Sequence, residues 1–275
     1  MRKIIIGSTG YIGETFSKFL TQNGENTISC SRANSDIAFD LEENDFSELE
    51  ANLIDGDFVY FFAGISSPDY CEKFPEHSKK VNLTNTINLI EKILAKNCKV
   101  LFASTDAVYS NSTIEVDEDS EQSPIGNYGF YKSEVEKNFI EDPNFSVARF
   151  SYVFGSDKFS NYLLRNQLEK KEIFNGFKRR AVSIDDVLLG LNNYNWDLKA
   201  INFSGPDLIS RMEIAEMYKK NIYHDLILDL MEPPDSFWDC RAKEINMGSK
   251  HFKSVLLKEP QKIEDVIKKL WQKKY

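Results

Sequence analysis

Short aliphatic runs alternate along the chain with stretches whose apolar residues recur every three or four positions. Lys3-Ile4-Ile5-Ile6 is apolar without alternation, the pattern of a strand buried on both faces, and Ile12, Phe16, Phe19 and Leu20 then recur on one side of a helix. The same pattern predicts strands over 26–30, 58–62, 100–103 and 145–149. Between them, 78–96 places Val81, Leu83, Ile87, Leu89, Ile90 and Leu94 at helical spacing, and 129–140 predicts another helix. Repeated β–α alternation of this kind predicts an α/β fold built on a doubly wound parallel sheet, with the ligand beyond the carboxyl ends of the strands. After residue 158 the pattern loosens. Helices are predicted at 161–171, 184–191, 211–220 and 263–274, joined by loops that carry Gly205-Pro206 and Pro233-Pro234. The expected division is a dinucleotide-binding domain over 1–158, with 178–204 returning to it. A smaller substrate-binding lobe is expected over 159–275, mainly 159–177 and 205–275.

At 275 residues the chain suits one large α/β body with a small appendage. Its formal charge is -9 and its only dense basic block besides Lys178-Arg179-Arg180 is a set of C-terminal lysines, so the footprint of a nucleic-acid binder is missing. Those lysines read as the solvent side of a helix whose Val266, Ile267, Leu270 and Trp271 pack inward. Cys30, Cys71, Cys98 and Cys240 stand far apart, and His77, His224 and His251 do not join them at metal-ligand spacing; reduced thiols and no metal site are expected. The chain enters a core strand by residue 3, leaving no room for a signal peptide, and no apolar run approaches the ~20 residues of a membrane helix. A cytoplasmic protein acting on small molecules is the expectation.

Gly7-Ser-Thr-Gly-Tyr-Ile-Gly13 sits where the first strand breaks into the first helix. In that position Gly7 permits a tight turn, Gly10 lets backbone approach a pyrophosphate, and Gly13 lets helix and strand pack closely, while the helix N-terminus supplies N–H donors. The bland alternative is an ordinary strand-to-helix turn. Further on, the strand at 100–103 runs into Ser104-Thr105-Asp106-Ala107-Val108-Tyr109, which sets hydroxyls at a strand's carboxyl end. Tyr128 and Lys132 follow, four apart and so on one side of a helix, where an ammonium near the phenol lowers a pKa that starts near ~10. A Tyr-x-x-x-Lys pair alone is weak evidence; its order after the glycine turn and Thr105 gives it weight.

With these residues in place, the chain resembles the extended short-chain dehydrogenase/reductases, also called the NAD-dependent epimerase/dehydratase family, nearly end to end. The glycine turn is similar to that family's cofactor turn, and Thr105, Tyr128 and Lys132 fall on its catalytic positions. Arg149 to Gly155 resembles its Arg-x-x-x-Val-Tyr-Gly element, Arg179 to Asp186 its Arg-x-Phe-Ile-His-Val-x-Asp segment, and Phe203 to Pro206 its Gly-Pro turn. Ser183 where histidine is usual, and Gly64 in the usual Ala-Ala pair, are departures. The resemblance implies a Rossmann fold and a cofactor set of Gly7, Thr9, Gly10, Tyr11, Ile12, Gly13, Ser31, Arg32, Asp40, Leu41, Phe62, Ala63, Gly64, Asn82, Phe150 and the Tyr128–Lys132 pair. It also implies substrate contacts from Ser66, Asp106, Tyr152 and Arg179, and it allows a homodimer.

Within the family, Ala63 to Glu72 and Ser104 to Tyr109 resemble reductases of the dTDP-4-dehydrorhamnose reductase type. The 4,6-dehydratases carry a glutamate after Ser-Thr-Asp, where this chain has Ala107. The implied activity is NAD(P)-dependent reduction of a keto-deoxy nucleotide sugar; a nucleotide-sugar epimerase and a non-enzymatic NADP-binding redox regulator are the alternatives. At the end of the second strand stand Ser31 and Arg32 rather than an acid, the first being Asp36, which favours NADPH over NAD. Arg32 as a solvated loop charge is the other reading. Lys178-Arg179-Arg180 is either the grip for an anionic substrate or a solvated edge.

Overall fold

A computed structural model describes residues 2–155, 173–174, 176–222, 224–225, 227–228 and 230–274. The helix expected at 161–171 lies outside them, as does the packing expected of Leu270 and Trp271. The described strands of the first part are β1 (Lys3–Ile6), β2 (Thr27–Ser31), β3 (Ile37–Ala38), β4 (Phe58–Phe61), β5 (Lys99–Thr105), β6 (Ser112–Val116) and β7 (Phe145–Phe150). Helices α1 (Tyr11–Gln22), α2 (Ser47–Asn52), α3 (Pro68–Lys73), α4 (Pro75–Lys79), α5 (Thr86–Ala95) and α6 (Asn127–Phe139) lie between them. A seven-stranded sheet runs in the order Ala200–Phe203, β7, β5, β4, β1, β2, β3. Pairing from β3 through to β5 is parallel. The chain winds outward from β1 in both directions, so β1 and β4 flank the switch point at which such sheets bind ligands.

Chain contacts divide the molecule into two units: 1–108 with 122–149 and 194–201, and 109–121 with 150–193 and 202–275. The boundary therefore departs from the expected one. Residues 109–121 and 150–155 group with the second unit, and of 178–204 only 194–201 group with the first. The reason is strand pairing: β6 sits in a second, four-stranded sheet beside Glu244–Met247, Lys178–Arg180 and Leu208–Ser210.

In the first unit, Ile4, Ile5 and Ile6 are almost fully buried, as an aliphatic run in a covered parallel sheet must be. On one side Phe16 of α1 meets Tyr60 edge-on at 4.9 Å, and Tyr60 meets Trp196 at 5.5 Å. A larger apolar cluster joins Leu89, Ile90 and Ile93 of α5 and Val135 and Phe139 of α6 to Val59, Phe61, Val100 and Phe102. The helix expected over 78–96 is interrupted: Lys80–Asn85 forms a π-helical turn between α4 and α5, with the Thr86 hydroxyl donating to the Val81 carbonyl at 2.9 Å.

In the second unit, Phe154, Ala181, Ile214, Ala215, Tyr218, Ile263 and Ile267 make their own apolar core. Asp186, fully buried, accepts from Lys258 Nζ and the Gln261 backbone, both at 2.7 Å. Among the described residues no helix is long and apolar enough to cross a membrane.

Candidate active site

A cleft of about 290 Å³ opens beyond the carboxyl ends of β1, β2 and β4. Of the expected cofactor residues, Gly7, Thr9, Gly10, Ser31, Arg32, Asp40, Leu41, Phe62, Ala63 and Gly64 line it. Its glycines are there for steric reasons. Gly7 has φ +87°, and a Cβ on it would lie 2.6 Å from the Ala63 nitrogen; a Cβ on Gly13 would lie 2.3 Å from the Gly7 carbonyl oxygen. Side chains at either position would push α1 off the turn, closing the N–H cradle that an anion needs. This backbone fits a dinucleotide pyrophosphate. Tyr11 and Ile12 follow as the first turn of α1.

Two asparagines of the π-helical turn shape the cleft from behind. Asn82 accepts from the Ile65 N–H and donates to the Ile65 carbonyl, each at 2.8 Å, fixing the loop after β4. Gly64, at φ +144°, could carry a Cβ only 3.1 Å from the Asn82 oxygen, which accounts for the glycine in place of the usual alanine. Asn85, which sequence reasoning missed, donates to the Leu41 carbonyl at 2.7 Å and so fixes the Asp40-Leu41 loop. Nothing in an amphipathic pattern marks it, because its partner lies 44 residues away. At the end of β2, Asp36 is turned onto Ser29, accepting from its N–H at 2.8 Å and its hydroxyl at 2.7 Å, which holds the carboxyl below its usual range. Arg32 lines the cleft, and Asp36 does not.

Thr105, Asp106, Tyr128 and Lys132 come together at the end of β5. Helix α6 can approach that strand end because Gly129 has no side chain: a Cβ there would lie 2.2 Å from the Ala107 carbonyl oxygen. Tyr128 is half-buried and hydrogen-bonded to Thr105, whose hydroxyl also accepts from the Ala107 N–H at 3.2 Å. Burial pushes the phenol up to about 12, the Thr105 hydrogen bond lowers it, and the Asp106 charge raises it again. The expected lowering by Lys132 is thus reversed. Lys132 Nζ instead donates to the Ala103 carbonyl at 2.8 Å and lies 4.4 Å from the centre of the Phe102 ring, and burial pushes the lysine itself down to about 8 against the opposing Glu136 charge. A phenol in this state is a proton donor at neutral pH. Ser66 is exposed on the loop after β4.

One further group belongs to this site, and periodicity did not point to it. Glu136, one turn beyond Lys132, is buried and accepts from Ser104 Oγ, from Gln122 Nε2 at 2.6 Å, and from Arg149 Nε at 2.9 Å and Nη2 at 2.7 Å. It ties α6 to β5 and β7.

The remaining expected residues lie in the second unit. Phe150 is buried against Phe203 with ring centres 4.8 Å apart. Tyr152 is half-buried. Arg179 is buried, with Nη1 donating to the Lys178 carbonyl at 2.7 Å and Nη2 to the Ala242 carbonyl at 2.8 Å. Arg180 donates to Asn246 Oδ1 at 2.6 Å and pairs with Glu115. Ser183, standing for histidine, caps the helix Ile184–Asn192 by accepting from the Asp185 N–H at 3.2 Å.

Comparison with known proteins bears on what this geometry is for. The family model described as RmlD substrate binding domain matches residues 1–175. The chain belongs to that family. Homologues of the RmlD family are NAD(P)-dependent oxidoreductases, related to the nucleotide-sugar reductases and epimerases. The chain is 23% identical to dTDP-4-dehydrorhamnose reductase of Aggregatibacter actinomycetemcomitans over 81% of its own length and 72% of that protein. It is 22% identical to methionine adenosyltransferase 2 subunit beta of Xenopus tropicalis over 81% of its length, spanning 66% of that relative. In fold it is similar to MoeE5, solved in complex with UDP-glucose and NAD: TM-score 0.83 over 100% of this chain and 99% of that one, at 18% identity. The extended short-chain dehydrogenase/reductase resemblance read from the sequence is therefore correct at the level of family and of Rossmann fold.

Proposed function

We propose that the protein is an NADPH-dependent reductase of a keto-deoxy nucleotide sugar. The observation that carries the reading is the meeting of Thr105, Tyr128 and Lys132 at a strand's carboxyl end: a phenol hydrogen-bonded to a neighbouring hydroxyl, with an ammonium one turn along the same helix, can give a proton to a carbonyl oxygen. Nicotinamide held in the adjoining cleft would supply the hydride. Thr105 and Tyr128 would hydrogen-bond the substrate's keto oxygen, Tyr128 would hand over its proton, and Lys132 would keep the pair in place from the Ala103 carbonyl. Ala107 supports reduction over dehydration, since it offers no carboxylate at the position where the resemblance places a dehydratase's glutamate. The nucleotide sugar is supported by MoeE5, a neighbour in fold solved with UDP-glucose, and by the relative named dTDP-4-dehydrorhamnose reductase. NADPH over NADH is supported by Arg32 at the cleft, with Asp36 committed to Ser29. A second reading, a regulatory subunit that binds the cofactor without turnover, is favoured by the relative named as a subunit of methionine adenosyltransferase.

Oxidation of NADPH against a panel of dTDP-, UDP- and GDP-keto-sugars tests the proposal. One NADPH should be consumed per product, and Tyr128→Phe should slow turnover by ~10² or more while leaving NADPH binding intact. NADPH should bind more tightly than NADH, with Arg32→Ala narrowing the difference. Product formed without net NADPH loss would indicate an epimerase, and cofactor binding with no turnover on any member of the panel would favour the subunit reading.

A further inference from the structure

The loop after β3, residues 39–42, lines the cleft of the first unit together with Ile65 and Val81. Phe39 and Leu41 are anchored in the apolar cluster, while Asp40 between them is half-buried. Asp40 Oδ1 accepts from the Glu42 N–H at 3.0 Å; among the described residues nothing donates to Oδ2, and the Leu41 N–H has no acceptor. An acceptor and a donor adjacent in the chain, beside apolar walls, suit a base such as adenine, whose amino group donates next to a ring nitrogen that accepts. Both residues belong to the cofactor set expected from the sequence. The group that holds them does not.

That group is Asn85, almost fully buried at the end of the π-helical turn. Its Nδ2 donates to the Leu41 carbonyl at 2.7 Å and to the Glu42 carbonyl at 3.4 Å. Three residues earlier Asn82 holds the loop after β4, so one turn of helix grips two separate walls of the cleft. The same stretch makes other ties to residues 42–50: His77 to Glu42 at 3.3 Å, Asn88 to Asn44 at 3.4 Å, and Lys92 to Glu50. Those contacts are open to solvent and worth little. The buried amide-to-carbonyl bond is the firmer one, because losing its donor leaves a carbonyl unsatisfied away from water.

We propose that Asn85 is a positioning residue for base recognition: by holding the Leu41 carbonyl it sets how the Asp40 carboxylate and the Leu41 N–H meet the cofactor's base, and so determines the preference for adenine over a base with the opposite edge. This role rests on the cleft being a dinucleotide site, and not on the reaction proposed above.

Calorimetric titration of the full chain with NADPH, NADH and the hypoxanthine analogue of each tests it. Hypoxanthine carries an oxygen in place of the amino group and a hydrogen on the neighbouring nitrogen, so the parent should bind each adenine cofactor at least about tenfold more tightly than its analogue. Asn85→Asp keeps the shape but replaces the donor with an acceptor facing two carbonyls, and it should remove most of that preference. A role confined to folding would weaken both bases alike and leave their ratio intact. Asn85→Ala should act in the same direction, and it keeps the test open if the aspartate variant does not fold. Asp40→Asn removes the acceptor directly; adding Asn85→Ala to it should change the ratio no further, since both act through one loop. An unchanged ratio in the Asn85 variants overturns the proposal and leaves the cofactor site standing, as does a parent that binds both bases equally. A parent that binds no dinucleotide overturns the cofactor reading, and this role with it.

Discussion

Lys132 shows how far a single side chain can be understood from its place in a motif. Its position one turn after Tyr128, on a helix beside Thr105, was legible in spacing. The direction of the phenol's shift was not, because burial outweighs a neighbour's charge and burial is a property of the packed molecule. The lysine's own displacement makes a stability prediction. With a folded pKa of about 8 and an unfolded one near ~10.4, the unfolded chain binds more protons between those values, so this group costs stability in full below pH 8 and the cost is relieved as pH rises through the window. Lys132→Met should therefore melt several degrees higher than the parent at pH 7, and the gain should shrink towards zero by about pH 10.5. A melting difference that is the same at both ends of that range would contradict the assignment. Gly7 and Gly13 were legible in full, since a steric requirement at a turn leaves one residue type possible.

Among the elements, α6 carries the site and is anchored by one buried ion pair. Glu136 and Arg149 are both almost fully buried, and the carboxylate also receives Ser104 and Gln122. Removing the charge from one partner leaves the other buried and uncompensated, so Glu136→Gln should cost about 3–5 kcal/mol in urea unfolding, while Glu136→Leu combined with Arg149→Met should recover most of that. A loss below about 1 kcal/mol in the single variant would mean that the pair is not what seats the helix. Periodicity placed α6, α1 and the long strands, because each has a clear buried side. It missed β3 and the strand Leu208–Ser210, two and three residues long and too short to show a period. The π-helical turn was equally invisible: its apolar spacing is helical enough, and only the tethers of Asn82 and Asn85 to two separate loops reveal what it does.

For the molecule as a whole, alternation of strands and helices predicted the sheet but not the path of the chain between units. Residues 194–201 belong with the first unit because the Trp196 ring packs, tilted, against Phe58 at 4.6 Å, the Val147 N–H donates to the Lys199 carbonyl at 2.9 Å, and the Ser146 hydroxyl donates to the Leu198 carbonyl at 2.8 Å. Those contacts cross a sequence gap that no local pattern spans. A fragment ending at residue 158 would lack all of them, so it should show no cooperative thermal transition by calorimetry where the full chain should; a sharp transition in the fragment would mean that the sheet is complete without the returning segment. The same path orders events during synthesis. As the chain leaves the ribosome, β7 emerges well before the strand Ala200–Phe203 that covers its edge, with 151–199 made in the interval. Throughout that interval the nascent protein presents an open edge strand whose six residues are all buried in the finished fold, the surface on which holding chaperones act and on which two growing copies can pair with each other.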